Sequence, residues 1–119
     1  MKIIILGGGS IGGSVATELS TEDNDIVVID NNEANLEPLK SKEGIKTVLG
    51  NATSPNTLSK SNLDENSLLL CLTDSEEINL LASIVAHAKF DVKKIICRLK
   101  GSEYKDCLLY TSPSPRDAY

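Results

Sequence analysis

A short apolar run that passes without a break into closely spaced glycines constrains this chain more than any other feature: Lys2-Ile3-Ile4-Ile5-Leu6-Gly7-Gly8-Gly9-Ser10-Ile11-Gly12-Gly13. The apolar run has the length and β-branched content of a buried strand, and the residues after Gly9 take up a helical spacing. Glycines in Gly-x-Gly-x-x-Gly register between a strand and a helix form the fingerprint of a dinucleotide-binding turn. In that fingerprint Gly7 permits the tight turn, Gly9 lets the backbone approach a pyrophosphate, and Gly12 lets helix and strand pack closely. The helix that opens there aims unpaired N–H groups and its positive dipole end at the phosphates, so an anion is held without a lysine. An ordinary strand-to-helix turn is the alternative reading of such glycines.

A second strand, Asp25-Ile26-Val27-Val28-Ile29-Asp30, ends in an acid at about the 20-residue spacing of the group that takes the ribose hydroxyls of NAD. Asp30 could instead cap the turn before the next helix, although Asn31 and Asn32 also offer side chains for that purpose. An acid at this position repels a 2′-phosphate, and no arginine follows to accept one. The pattern therefore favours NAD(H), or an adenine nucleotide such as ATP, over NADP(H).

The rest of the chain repeats strand and helix. The helix from Ser10 to Leu19 is expected to set Ile11, Val15, Ala16 and Leu19 against the sheet. Glu33 to Lys40 reads as a short helix capped by Asn32, with Pro38 expected to make it irregular or end it early. A third strand, Lys46 to Leu49, follows Gly44, and Ser54-Pro55 reads as an N-cap and first position of a helix reaching Lys60. Ser67 to Leu72 is apolar on both faces, as a central strand covered on both sides must be. Asp74 with Glu77 fits a capping box for a helix to Lys89, whose stripe Ile78, Leu81, Ala82, Val85 and Ala86 is expected to face the sheet. His87 falls near that helix's end and reads as a surface residue; Lys94 to Arg98 is the fifth strand.

These elements predict an α/β, Rossmann-like doubly wound parallel sheet in the order 3-2-1-4-5, truncated after strand five. Ligands of such sheets bind beyond the carboxyl ends of the strands, where strand order reverses. Gly7 to Gly12, Asp30, Asn51 and Thr73-Asp74 all fall on that rim.

At 119 residues the chain suffices for one core but is short for both a cofactor domain and a substrate domain. A net charge of −5, with lysines scattered among more numerous acids, argues against a nucleic-acid partner. No stretch approaches the roughly 18 apolar residues of a membrane span, and the opening run is too short for a signal segment, so a cytoplasmic location is expected. Cys71 and Cys97 sit in apolar strand patterns with no Cys-x-x-Cys spacing and no companion histidines, which reads as buried reduced thiols with neither a metal nor a redox role.

From Met1 to Asp106 the sequence resembles the amino-terminal domain of TrkA-type proteins, the RCK domains that serve as nucleotide-sensing subunits of bacterial Trk/Ktr potassium uptake systems. The residues that carry the resemblance are Ile3 to Gly13, Val28-Ile29-Asp30 with Leu39, Gly50-Asn51-Ala52-Thr53 before Leu58, and Leu72-Thr73-Asp74-Ser75-Glu76-Glu77-Ile78-Asn79. The last resembles the Thr-x-x-Asp-Glu-x-Asn pattern that follows the family's fourth strand, with Glu76 at the aspartate position. The resemblance implies a phosphate turn at Gly7, Gly8, Gly9, Ser10, Ile11 and Gly12, with Asp30 and Asn31 at the ribose. It places Asn51 and Ala52 beside the adenine, and Thr73 and Asp74 by the phosphates or second ribose. Glu77, Asn79 and Arg98 take structural or inter-subunit roles.

Two departures matter. Asn51 stands where the family usually has aspartate, keeping one acceptor and adding a donor. Ser10 stands where ATP-preferring members often carry arginine, which tilts the reading towards NAD(H). The resemblance implies no enzyme but a regulatory module, homo-oligomeric in the full-length protein, peripheral to the inner membrane through a potassium-translocating membrane subunit and not itself inserted. The alternatives are the cofactor half of an NAD-dependent dehydrogenase and a structural domain with an empty crevice. Against the dehydrogenase, Tyr104-Lys105 lacks the three-residue gap of a Tyr-x-x-x-Lys pair and no histidine sits at a strand end. Residues 107–119 are Pro/Ser-rich, resemble adapter read-through, and are expected to be a non-native, disordered tail to a domain of residues 1–106, the front of a longer regulator.

Overall fold

The computed structural model describes residues 1–99. Tyr104-Lys105, the domain boundary expected at Asp106 and the tail lie outside the described residues. Ile3, Ile4, Ile5 and Leu6 are apolar on both sides of the pleat, so β1 (Lys2–Leu6) must be covered twice, and it lies at the centre of a five-stranded parallel sheet. Its neighbours are β2 (Asp25–Asp30) and β4 (Leu68–Cys71), with Leu6 registered against both Ile29 and Cys71. β3 (Ile45–Leu49) and β5 (Lys94–Cys97) form the edges. The order β3-β2-β1-β4-β5 is the one expected, and the reversal falls between β1 and β4.

Helices cover both faces. On one, α1 (Ser10–Ser20) and α2 (Glu33–Lys40) bring Ala16, Leu36 and Leu39 against Ile3, Ile5, Ile26 and Val28. On the other, α3 (Pro55–Lys60) and α4 (Glu76–Phe90) bring Leu58, Ala82 and Ala86 against Ile4, Leu6, Ile29, Leu69 and Cys71. Two continuous apolar layers result, one either side of the sheet.

Three local expectations need correction and a fourth needs refinement. Ile11 does not pack on the sheet: it is 41% exposed, because Gly12 and Ala16 are the residues small enough to let α1 approach the strands. Pro38 does not end α2, which runs to Lys40; it removes one intrahelical donor but leaves the last turn in place. Ser54 is the N-cap of α3 ahead of Pro55, as expected, but it acts through its backbone carbonyl, which accepts from the Leu58 N–H at 3.0 Å, and not through its side chain. The cap of α4 is Ser75, not Asp74: the Ser75 hydroxyl accepts from the Ile78 N–H at 3.2 Å.

The buried face of α4 is also rotated from the expected stripe. Asn79, Ala82, Ser83 and Ala86 are buried, while Ile78 and Leu81 are exposed together with Ile84. A helix lying close on a sheet buries its small side chains and leaves larger ones at the flanks, so the alanines of the stripe hold and its two largest members do not. His87 is exposed near the end of α4, as expected.

Candidate functional site

The carboxyl ends of β1, β2 and β4 converge on a cleft of about 260 Å³. Its floor is apolar, from Ile29, Ala52 and Leu72, with Ile11 and Ile78 at the sides. Its polar groups come from Asp30, Asn31, Asn51, Thr73 and Asp74, and Arg98 is the one cation among the described residues lining it.

The glycine turn owes its shape to two contacts and its openness to a third position. Gly7 sits at φ +102°, and a Cβ there would lie 3.0 Å from the backbone of Leu72 and Thr73. A Cβ on Gly12 would fall 1.7 Å from the Gly7 carbonyl oxygen. Gly9 is different: an added Cβ would meet nothing within 4 Å, and its φ of −71° is open to any residue. Gly9 is also the N-cap of α1 with no side-chain cap and no acid in the first turn, so the leading N–H groups of α1 open towards the cleft that Gly9, Ser10 and Ile11 line.

Asp30 closes the turn into α2, the second of the two readings its position allowed, and also holds the glycine turn. One carboxylate oxygen accepts from the Gly8 N–H at 2.7 Å and from the Asn35 side-chain amide at 3.1 Å. The other accepts from the Asn32 N–H at 2.8 Å, closing the turn into α2, while Asn32 itself caps that helix through the Ala34 N–H. A carboxylate has about four acceptor positions, so one remains for a ribose hydroxyl. Gly8 and Gly12 lie behind the lining of the cleft: Gly8 is buried and holds Asp30, and Gly12 is buried beneath the turn, where the close packing expected of it is found.

Asn51 reaches the rim but spends its carbonyl oxygen on Thr53, accepting from its N–H at 2.9 Å and its hydroxyl at 2.8 Å. What Asn51 can present to a base is the donor side of its amide. Thr73 lines the cleft with its hydroxyl turned inward, donating to Asn79 Oδ1 at 2.7 Å. Asn79, 1% exposed, is the knot of this rim: its oxygen also accepts from the Thr73 N–H, and its amide donates to the carbonyls of Thr73 and Arg98. One side chain on α4 thereby ties the ends of β4 and β5. Asp74 projects into solvent and pairs with Arg98 at 3.4 Å.

The lining residues that were not expected at the site are Ile29, Asn32, Asn35, Leu72, Ser75, Ile78 and Arg98. Each enters the cleft through tertiary placement, Asn35 from the first turn of α2 and Arg98 from the residue after β5. Among the described residues no cluster of His, Cys, Asp and Glu could hold a metal ion, and no helix is long and apolar enough to cross a membrane.

Comparison with known proteins agrees with this geometry. The profile of the TrkA-N domain matches residues 3–112. The chain is 37% identical over 120 residues to the Trk system potassium uptake protein TrkA of Haemophilus influenzae, covering 98% of this chain and 26% of that protein. It is 36% identical over 104 residues to the TrkA of Halomonas elongata, covering 87% of this chain and 23% of that protein. The chain thus spans about a quarter of the length of these relatives. Among solved structures, the TrkA-N domain of the inner membrane protein ybaL from Escherichia coli superposes with a TM-score of 0.81 at 20% identity, over 98% of this chain and 90% of that one. The GsuK channel bound to NAD superposes with a TM-score of 0.77 at 20% identity, over 93% of this chain and 20% of that one. With its sheet order, its glycine turn and its relatives in agreement, the chain belongs to the TrkA-N domain family.

Proposed function

We propose that this chain is a non-enzymatic sensor module that binds NAD(H) at the rim of β1, β2 and β4 and regulates a Trk/Ktr-type potassium uptake system from the cytoplasmic face of the inner membrane. The observation that carries the reading is Gly9. The fold itself leaves room for a side chain there, since an added Cβ meets nothing within 4 Å, so the glycine keeps space clear for something outside the fold. Beside it lie the uncapped start of α1, suited to a pyrophosphate, and the remaining acceptor position of Asp30, suited to a ribose hydroxyl.

A sensor needs no chemistry, only a ligand bound unequally by two arrangements of an assembly. The relatives in Haemophilus and Halomonas are potassium uptake proteins, which supports a potassium-translocating membrane subunit as the partner.

A second reading, ATP or ADP as the ligand, has its own support. The cleft, at about 260 Å³, lies just below the roughly 300–1,000 Å³ usual for small-molecule pockets and suits one nucleotide better than two. Arg98 adds a cation at its rim. Solved neighbours of this fold include GsuK bound to ADP and a Kef domain from Shewanella denitrificans bound to AMP.

Calorimetric titration with NADH, NAD, ATP and NADPH ranks the ligands, and nicotinamide absorbance followed with a panel of ketones and aldehydes tests for turnover. Saturable NADH binding with a flat trace is expected. Steady oxidation of NADH would make the chain a dehydrogenase fragment, and failure of every nucleotide to bind would leave an empty crevice.

A further inference from the structure

Cys71 and Cys97 are 26 positions apart in the chain and adjacent in the sheet. They are register partners at the carboxyl ends of β4 and β5, on the face where both pack into one apolar layer. Neighbouring strands run about 4.7–4.9 Å apart, within the roughly 4.4–6.8 Å Cα separation that a disulfide spans. Both thiols are free. Cys71 is fully buried and Cys97 half-buried, so a small solute reaches Cys97 first.

We propose that this pair is a reversible oxidation site, at which hydrogen peroxide converts the two thiols into a disulfide that links β4 to β5 and loosens the rim of the cleft. The balance is simple. The Cys97 sulfur attacks one peroxide oxygen: an S–O bond forms, the O–O bond breaks, and the thiol proton leaves with the departing oxygen as water. The Cys71 sulfur then attacks the sulfenic sulfur: the S–S bond forms, the S–O bond breaks, and the second thiol proton leaves in a second water. Two electrons pass from the sulfurs to the peroxide oxygens.

The local chemistry divides the roles in the same order. The neighbouring Cys71 thiol, and after it the Ser83 hydroxyl, hold the Cys97 thiol below its usual range despite burial, which favours the attacking thiolate. The Cys97 sulfur beside it, together with burial, pushes Cys71 well above that range and keeps it a thiol until a sulfenic acid stands next to it.

The consequence reaches the cleft through Asn79. The reduced Cys97 thiol donates to the Asn79 carbonyl at 3.3 Å, and the Asn79 side chain holds Thr73 and the Arg98 carbonyl. Oxidation removes that proton and draws the Cys97 sulfur towards β4, away from α4. The Thr73 amide, which donates to Asn79 Oδ1 at 3.0 Å, reports the change without any nucleotide present.

The test uses the full chain with Cys107→Ser, which leaves the pair as the only thiols. Hydrogen peroxide should remove the mass of two hydrogens and give a peptide cross-link between Cys71 and Cys97. The Thr73 amide should exchange about tenfold faster, and a dithiol reductant should restore both mass and exchange. Added Cys71→Ser should stall the reaction as a Cys97 sulfenic acid that dimedone traps. Two thiols still open to alkylation after peroxide would overturn the proposal, and so would a clean cross-link that leaves Thr73 exchange unchanged. Neither readout depends on nucleotide binding, so the proposal and the sensor reading fail separately.

Discussion

Gly7, Gly9 and Gly12 lie within one turn yet are glycine for different reasons, and single substitutions separate them. Gly12→Ala would place a carbon 1.7 Å from the Gly7 carbonyl oxygen, a backbone clash that the turn cannot relieve by moving a side chain. Its expected cost is about 3 kcal/mol or more, seen as a large fall in melting temperature or as failure to fold. Asp30→Ala should weaken NADH more than NADPH, because it removes ribose hydrogen bonds from one and a charge clash from the other. The NADH loss should be roughly 1.5–3 kcal/mol, or about one to two decades in affinity, by calorimetry. Equal losses would mean that Asp30 acts only through Gly8, Asn32 and Asn35. Its spacing from the glycines makes Asp30 legible in the sequence. Its partners are not, since the Gly8 amide and Asn35 meet it only once β1 and β2 pair and α2 folds back.

At the scale of the element, α4 shows where periodicity stops short. Ile78, Leu81 and Val85 repeat at helical spacing, and so do Asn79, Ala82, Ser83 and Ala86. The pattern permits either face to be buried, and the sheet selects the one with small side chains because the helix then lies closest. The cap misleads in the same way: Asp74 has an acid three residues on in Glu77 and Ser75 has only Ile78 there, yet it is Ser75 that caps, through the Ile78 N–H. Ser75→Ala should cost about 1 kcal/mol in urea unfolding, while Asp74→Ala should stay within about 0.5 kcal/mol. The reverse ranking would return the cap to Asp74. Asn79→Ala strips the Thr73 amide and the Thr73 and Arg98 carbonyls of a buried partner, each a group that costs about 1–3 kcal/mol when unpaired. We expect about 3 kcal/mol of lost stability, with nucleotide affinity falling as well; a change below about 1 kcal/mol would show that the rim holds without the knot.

For the molecule as a whole, the sheet order follows from strand composition: β1 and β4, apolar on both faces, take interior places, while Lys46 in β3 and Lys94 in β5 sit on the edges. Alternation of strands and helices and the position of the first glycine turn suffice for the architecture, because right-handed connections leave few other arrangements. What pattern alone leaves open is every pairing between distant strands, including Cys71 with Cys97. The domain boundary proposed at Asp106 predicts that deleting residues 107–119 leaves the melting temperature within about two degrees, and a larger fall would place part of that segment in the fold. The central claim is that the space beside Gly9 belongs to a ligand. Gly9→Ala tests it most directly, with the melting temperature and NADH affinity measured on the same preparations as the parent chain. The account predicts a melting temperature within a few degrees of the parent's, the poorer N-cap being offset by the stiffer unfolded chain, and an affinity at least about tenfold weaker. A variant that binds NADH as the parent does, or a parent that binds none, would contradict it.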